Sequence, residues 1–254
     1  WLSSINWNSK MEKEKRKKLS LIVPCYNEEA GLQNLYNRLF PVLQNLLLEY
    51  ELELLFIDDG SNDKTNELLH LIFADLPYVK IIKHDKNKNL GGAMRTGYAI
   101  STGDFIFTLD SDCTYSPEDI PKMLKLLTED VDIVTASPYH PEGGVDNVPE
   151  YRLLLSKTIS LIYRLLTKSN IYTFTALFRV QRKKVVENVK FESNNFLATA
   201  ESLIYALKKG YSVKEFPTVL HVRQYGESKI KLLSVIKSHI KFILKLLKMK
   251  LKKK

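Results

Sequence analysis

ELLFIDDGS, Glu53 to Ser61, is an apolar run that stops abruptly at two carboxylates, a glycine and a serine. A short continuous apolar run closed by turn residues is the pattern of a strand buried on both faces. The design recurs on either side. LSLIVP, Leu19 to Pro24, is a second such strand, closed by proline, and FIFTLD, Phe105 to Asp110, is a third that leads into D-S-D, Asp110 to Asp112. Apolar residues at helical spacing fill the gaps. Leu32, Leu35, Leu39, Val42, Leu43 and Leu46 predict a helix from Glu28 to about Tyr50, a second covers Lys64 to Ala74, and Gly91-Gly92 opens a third to about Ser101. VKIIKH (Val79 to His84) and DIVTA (Asp132 to Ala136) read as strands, and PEDIPKMLKLL (Pro117 to Leu127) as a helix.

This alternation predicts an α/β fold with a mainly parallel central sheet and helices on both faces. Ligands of such sheets bind beyond the carboxyl ends of the strands, where Asp58, Asp59, Asp110 and Asp112 fall. The second half is less regular. Pro138 to Tyr151 reads as a turn-rich loop, Tyr151 to Thr167 and Leu197 to Lys209 as helices, FTALFRV (Phe174 to Val180) as a strand, VKEFP (Val213 to Pro217) as an edge strand, and His221 to Lys229 as a loop.

The 254 residues suffice for one large domain, and 44% hydrophobic with 26% charged residues is a globular composition. Two cysteines, Cys25 and Cys113, form neither a disulfide framework nor a zinc pattern, which places the chain in a reducing compartment. No apolar run is long enough to span a bilayer and no secretory signal is visible. The chain opens on Trp1, and Met11 is a candidate natural start, which would make residues 1–10 an upstream remnant. The net charge of +9 is unevenly placed: Lys229 to Lys254 holds ten lysines and no acid, leaving 28 basic against 29 acidic residues before it, a net of −1. A neutral body argues against nucleic acid as a partner.

In an extended segment residues i and i+2 face the same side, so Asp110 and Asp112 can approach one cation. Two carboxylates with substrate phosphates are a common shell for Mg²⁺ or Mn²⁺. The plain alternative is a capping aspartate beside an exposed one. Asp58-Asp59-Gly60-Ser61 could likewise be a turn that caps the next helix. Two neighbouring strand ends carrying four acids would repel without a cation or bound donors, which points to a nucleotide site. Pro24-Cys25-Tyr26-Asn27-Glu28-Glu29 opens the first helix: either ordinary capping by Asn27, or a ring (Tyr26) and an acceptor (Glu28) for a nucleoside.

V-P-C-Y-N-E-E, I-D-D-G-S-x-D-x-T, N-L-G-G-A with G-D-F-I-F-T-L-D-S-D, and Y-G-E-S-K, in that order from Leu19 to about Lys231, resemble family 2 glycosyltransferases of the Rossmann-like GT-A fold. More narrowly they are similar to dolichyl-phosphate mannose synthases and related polyprenyl-phosphate glycosyltransferases. The resemblance implies that Pro24, Tyr26, Glu28, Ile57 and Asp59 surround the nucleoside. Asp110 and Asp112 would hold Mg²⁺ or Mn²⁺ on the diphosphate beside Ser111, and Arg223 and Lys229 would close over the phosphates, with Asp112, Arg223 and Lys229 as the catalytic set. It implies a hexosyltransferase, with mannose from GDP-mannose the favoured donor and a UDP-sugar the alternative. Two positions depart from the pattern. Ser137-Pro138-Tyr139 lacks an arginine that the synthases carry, for which Arg152 and His140 are the candidate substitutes, and Thr114 stands where some relatives have a glutamine ligand.

A hydroxyl acceptor would need a general base, and Glu201 is the best-placed candidate, although it is followed by Ser202 where hydroxyl-using relatives have aspartate. A phosphate monoester, with a second pKa of about 6, needs cations rather than a base. A polyprenyl phosphate acceptor is therefore favoured, with Arg152 as a contact and inversion by direct displacement. Leu233, Ile236, Ile240, Ile243, Leu247 and Leu251 recur at helical spacing beside a stripe of Lys237, Lys241, Lys245, Lys248 and Lys252. That is the pattern of an interfacial helix on an anionic membrane; a helix packed on the domain, or a subunit contact, are the alternatives. The expected organisation is a basic leader over 1–18, for which disorder is one reading, a GT-A domain over 19–228, and a membrane-interface helix over 229–254, peripheral on a cytoplasmic face. A non-catalytic nucleotide-sugar-binding membrane module is the rival of another class.

Overall fold

The computed structural model describes residues 16–226 and 232–251. Its first half is the predicted alternation: β1 (Lys18–Cys25), α1 (Leu32–Glu49), β2 (Glu51–Asp58), α2 (Thr65–Phe73), β3 (Val79–Lys83), α3 (Leu90–Ile100), β4 (Phe105–Thr108), α4 (Ile120–Lys125) and β5 (Ile133–Ser137). Then come β6 (Gly144–Asp146), α5 (Glu150–Thr167), β7 (Arg179–Arg182), α6 (Lys183–Asn188), α7 (Leu197–Lys208), β8 (Val213–Pro217), β9 (Val219–His221) and α8 (Leu232–Leu251). Seven strands form one sheet in the order β3-β2-β1-β4-β7-β5-β8, and β6 pairs with β9 in a small second sheet. All pairs are parallel except those of β7, which runs antiparallel between β4 and β5.

The period-2 alternation of each strand sorts its side chains between two apolar layers. Leu19, Leu21 and Val23 of β1 pack with Leu32, Leu35 and Leu39 of α1, Leu69 of α2 and Ile120 of α4. Ile22 points the other way, to Ala93 of α3 and Val186 of α6. Helices therefore cover both faces, as expected. Tyr163 of α5 and Leu203 of α7 form a further cluster with Phe242 and Leu246 of α8. Each fully buried leucine contributes about 1.5–3 kcal/mol over an exposed one, so the six buried apolar residues of α1 account for its adherence despite Pro41.

Several boundaries differ from the sequence expectation. The first helix begins at Leu32 rather than Glu28, because residues 26–31 are used by turns in the site. Pro117 to Leu127 is split into a 3₁₀ turn, Pro117–Asp119, and the six-residue α4. The strand expected over Phe174 to Val180 is shifted to Arg179–Arg182, and β6 lies inside the stretch read as loop.

Candidate active site

The strand order reverses where β2 and β4 lie on opposite sides of β1, which opens a crevice at the carboxyl ends of these strands. Pro24 is paired with Ile57 and Cys25 with Asp58 across β1 and β2, so both sequence motifs end at one level. The two loops that follow are stitched together. Asn27 N–H donates to Ser61 Oγ at 2.9 Å and Asn62 N–H to Asn27 Oδ1 at 2.9 Å. Glu28 N–H donates to Thr65 Oγ1 at 2.7 Å, and Lys64 N–H to Glu29 Oε2 at 3.0 Å. Asn27 holds φ 53° and Gly60 φ 71°, left-handed turns that asparagine and glycine accept most readily. The polar N-E-E and D-G-S-N-D-K-T residues thus build the rim itself rather than merely cap helices.

On the β2 side, Asp59 Oδ1 lies 2.7 Å from His84 Nδ1 and accepts from Lys88 N–H at 2.8 Å, while His84 Nε2 meets Thr96 Oγ1 at 2.9 Å. Burial raises the Asp59 carboxyl above its ordinary range, against the lowering effect of its His84 bond. His84 was not singled out in the sequence. The signal for it was its position one residue beyond β3, at a third strand end of the same sheet edge.

On the β4 side, Arg223 joins the first and third motifs. Its Nε donates to Asp112 Oδ2 at 2.8 Å and its Nη2 to Glu28 Oε1 at 2.7 Å. Burial works to lower the Arg223 pKa, but the charges of Asp112 and Glu28 prevail and raise it. Asp112 Oδ1 accepts from Thr114 N–H at 3.1 Å, and the Thr114 carbonyl accepts from His221 N–H at 2.9 Å, tying the D-S-D turn to β9. Asp110 has no such support: its Oδ2 is shut off from solvent with no partner. Burial first, and the Asp112 charge second, push its pKa up to about 8. An unpartnered buried carboxylate oxygen beside a second carboxylate fits a hard divalent cation. No group of three or more His, Cys, Asp or Glu ligands occurs among the described residues, so these two side chains would need phosphate and water oxygens to complete a shell.

The remaining predicted residues are placed as follows. Tyr26 and Pro24 are half-buried at the rim and Ser111 is buried between the two acids. Ile57 is fully enclosed in the core, main chain included, so the nucleoside contact expected of it has no open surface to use. Glu201 is 2% exposed, and its Oε2 accepts from Glu192 N–H at 3.2 Å and Ser193 N–H at 2.8 Å; it braces a loop. Arg152 is exposed at the start of α5, stacked on its neighbour Tyr151. His140 packs edge-on against Tyr172. Lys229 lies outside the described residues. Sequence reasoning also passed over Arg179, a guanidinium 2% exposed and bonded to Thr135, Thr199, Ser202 and Ala176. Burial lowers its pKa to about 10.

Comparison with known proteins agrees with this arrangement. The chain is 35% identical over 221 residues to a dolichol-phosphate mannosyltransferase of Pyrococcus furiosus, an alignment covering 84% of this chain and 59% of that one. It is 29% identical over 222 residues to a polyprenol monophosphomannose synthase of Mycolicibacterium smegmatis, covering 83% and 80%. This chain thus spans less than two thirds of the Pyrococcus protein. Among solved structures it is similar to Mycobacterium tuberculosis glucosyl-3-phosphoglycerate synthase in complex with Mn²⁺ and UDP-glucose, with TM-score 0.68 at 17% identity over 90% of this chain and 78% of that one. That likeness bears out the GT-A fold. Residues 20–190 match the glycosyl transferase family 2 domain, and this chain belongs to that family.

Proposed function

We propose that the chain transfers a hexose from a nucleotide sugar to a polyprenyl phosphate, with inversion, with GDP-mannose the favoured donor and a UDP-sugar the alternative. The observation that carries this is the Glu28–Arg223–Asp112–Asp110 cluster at the β1/β4 crevice. It sets three carboxylates and a guanidinium where a sugar diphosphate can be held. Asp110 and Asp112 would hold Mg²⁺ or Mn²⁺, which supplies charge neutralisation on the leaving diphosphate. Asp59 and Tyr26 take the nucleoside. Arg223, with Lys229, stabilises the negative charge that grows on the diphosphate as the anomeric C–O bond breaks. The acceptor phosphate oxygen attacks the anomeric carbon from the opposite side, and the bonding pair leaves with the diphosphate. A phosphate is already ionised, so no side chain needs to take a proton, and the engagement of Glu201 with two amides favours this acceptor over a hydroxyl.

The acceptor lipid calls for a membrane, and α5 and α8 offer a face to it. Leu154, Leu161 and Leu165 are exposed on α5, and Leu233, Ile240, Leu244 and Leu247 on α8. The α8 residues that meet α7 and the loop before it are Ser238, Phe242, Lys245 and Met249. At about 100° per residue the exposed apolar ones lie on the opposite flank, beyond the contact with Tyr163 of α5. Residues 232–251 carry no acid. We assign this face to an anionic membrane surface, so that the protein sits peripherally; among the described residues no helix is long and apolar enough to cross a membrane. The two cysteines, both free and buried, suit a cytoplasmic location.

The test offers radiolabelled GDP- and UDP-sugars with Mn²⁺ to polyprenyl phosphate and to the matching alcohol. Label on the phosphate alone is expected, and label on the alcohol alone overturns the acceptor. Asp112→Ala should lower turnover by about 10²-fold or more, and normal turnover would remove the metal assignment.

A further inference from the structure

Resting on the metal assignment above, the geometry points to Arg223 as an exchangeable counter-cation: a divalent ion displaces its guanidinium from Asp112, and the side chain then pivots on Glu28 toward the diphosphate. Asp112 is asked to serve two cations. Its Oδ2 already accepts from Arg223 Nε at 2.8 Å and its Oδ1 from Thr114 N–H at 3.1 Å. The unpartnered oxygen of the pair belongs to Asp110. A divalent ion that enters at Asp110 needs Asp112 as well, where both oxygens are already engaged, Oδ2 by the guanidinium and Oδ1 by an amide, and of these two donors the guanidinium is the charged one. Two cations on one carboxylate repel, so one of them yields.

Arg223 is built to yield in part. Its fork bridges two carboxylates from different elements rather than chelating one, with Nε on Asp112 and Nη2 on Glu28. Loss of the first bond leaves the second. Glu28 is buried, held by its own backbone N–H on Thr65 Oγ1 at 2.7 Å, and is fixed to the rim loop rather than to the D-S-D turn. It therefore remains as the pivot after Asp112 changes partner. Arg223 sits in the short segment after β9, where a rotation about the side chain does not disturb the sheet. The released Nε–H would then be available to donate to a phosphate oxygen of the nucleotide. Glu28 is on this view a positioning residue that keeps the guanidinium at the site, in addition to lining the nucleoside.

The exchange makes opposite demands on metal and nucleotide, and this separates it from a guanidinium that only binds phosphate. Mn²⁺ alone, followed by the loss of its free EPR signal, should bind about tenfold more tightly to Arg223→Gln than to the wild type. GDP in saturating Mn²⁺ should bind about tenfold more weakly to the same variant. Glu28→Gln should weaken GDP binding in the wild type and weaken it less in the Arg223→Gln background, where only its contact with the nucleoside is left to lose. Direct evidence comes from the wild type itself. The ¹⁵N-labelled Arg223 Nε–H resonance, assigned by its absence in Arg223→Lys, should shift and lose protection from exchange at saturating Mg²⁺. It should shift again when GDP is added. An Nε–H signal that Mg²⁺ leaves unmoved, or a Mn²⁺ affinity unchanged or lower in Arg223→Gln, overturns the exchange while leaving the metal site in place. Failure of Mn²⁺ to bind either protein removes the metal assignment, and the exchange with it.

Discussion

On the proposed metal assignment two opposing needs meet at Asp110: it stays inside the protein with an unpartnered oxygen, and it would have to ionise to hold a cation. Burial and the neighbouring Asp112 charge hold its pKa at about 8. Metal binding therefore competes with a proton. The affinity for Mn²⁺ should rise with pH, by about tenfold per unit below pH 8 and levelling above it, as read by EPR titration between pH 6 and 9. The metal-free protein should show the matching effect on stability. Because the folded pKa lies above the ordinary carboxylate value, the folded state keeps a proton that the unfolded chain has lost. Its stability contribution is full below about pH 4 and disappears as pH climbs through about 8, and Asp110→Asn should flatten that part of the profile. Both acids of the D-S-D turn were legible in the sequence as a motif, but not through extended i, i+2 spacing, since β4 ends at Thr108 and Ser111 and Asp112 lie in a turn. Their partner was not legible. Arg223 is 111 residues from Asp112 and 195 from Glu28, and no local pattern carries a contact over such a distance; only the family resemblance placed it near the phosphates.

Among the elements, those that obey a single period were read correctly and those shaped by tertiary contacts were not. β1, β2 and β4 follow from their apolar runs, because burial on both faces leaves no other arrangement. FTALFRV has the same local look, yet Phe174 and Ala176 pack into two different clusters and ladder pairing begins only at Arg179. Gly91-Gly92 was read as a helix start, but its reason lies in a neighbour. Gly91 N–H donates to Asn194 O at 2.6 Å, and a Cβ there would collide with the Ser193 carbonyl and stand 2.9 Å from Ala198 Cβ. Gly91→Ala should cost about 1–3 kcal/mol, visible as a melting temperature lower by several degrees. It should also loosen the loop that Glu201 braces. The C-terminal helix answers to a buried pair: His239 Nδ1 lies 2.7 Å from Tyr163 Oη, and burial lowers the histidine pKa to about 4. The unfolded chain takes up this proton near pH 6.5, before the folded state does. Stability is thus lost as pH falls from about 6.5 through about 4, by about 3 kcal/mol in all. His239→Phe should abolish that loss, measured as the pH dependence of urea midpoints.

Across the whole molecule, charge and apolar surface are segregated in the same sense. Without the ten lysines after residue 228 the chain is close to neutral, and five of them, Lys237, Lys241, Lys245, Lys248 and Lys250, share α8 with an apolar flank that no other described element covers. The sequence showed a basic amphipathic helix but left open whether it packs on the domain or lies in a membrane. In the structure it packs on one side, through His239, Phe242 and Leu246, and leaves Leu233 and Ile240 75% and 52% exposed on the other. The two uses are compatible because they take different flanks. Binding to vesicles should then have two separable parts. Flotation with vesicles that contain anionic phospholipid is expected, and much weaker flotation with neutral ones, since each lysine near the surface contributes about 1 kcal/mol. Raising salt to 1 M shortens the screening length to about 3 Å and should remove the lysine part while a weaker apolar part persists. Leu161→Glu with Ile240→Glu should abolish that remainder. Because both side chains are more than half exposed, the melting temperature should stay within a degree or two of the wild type. A loss of flotation with an unchanged melting temperature assigns the face to the membrane. Full flotation of the double variant would assign binding to the lysines alone and leave α5 without a part in it.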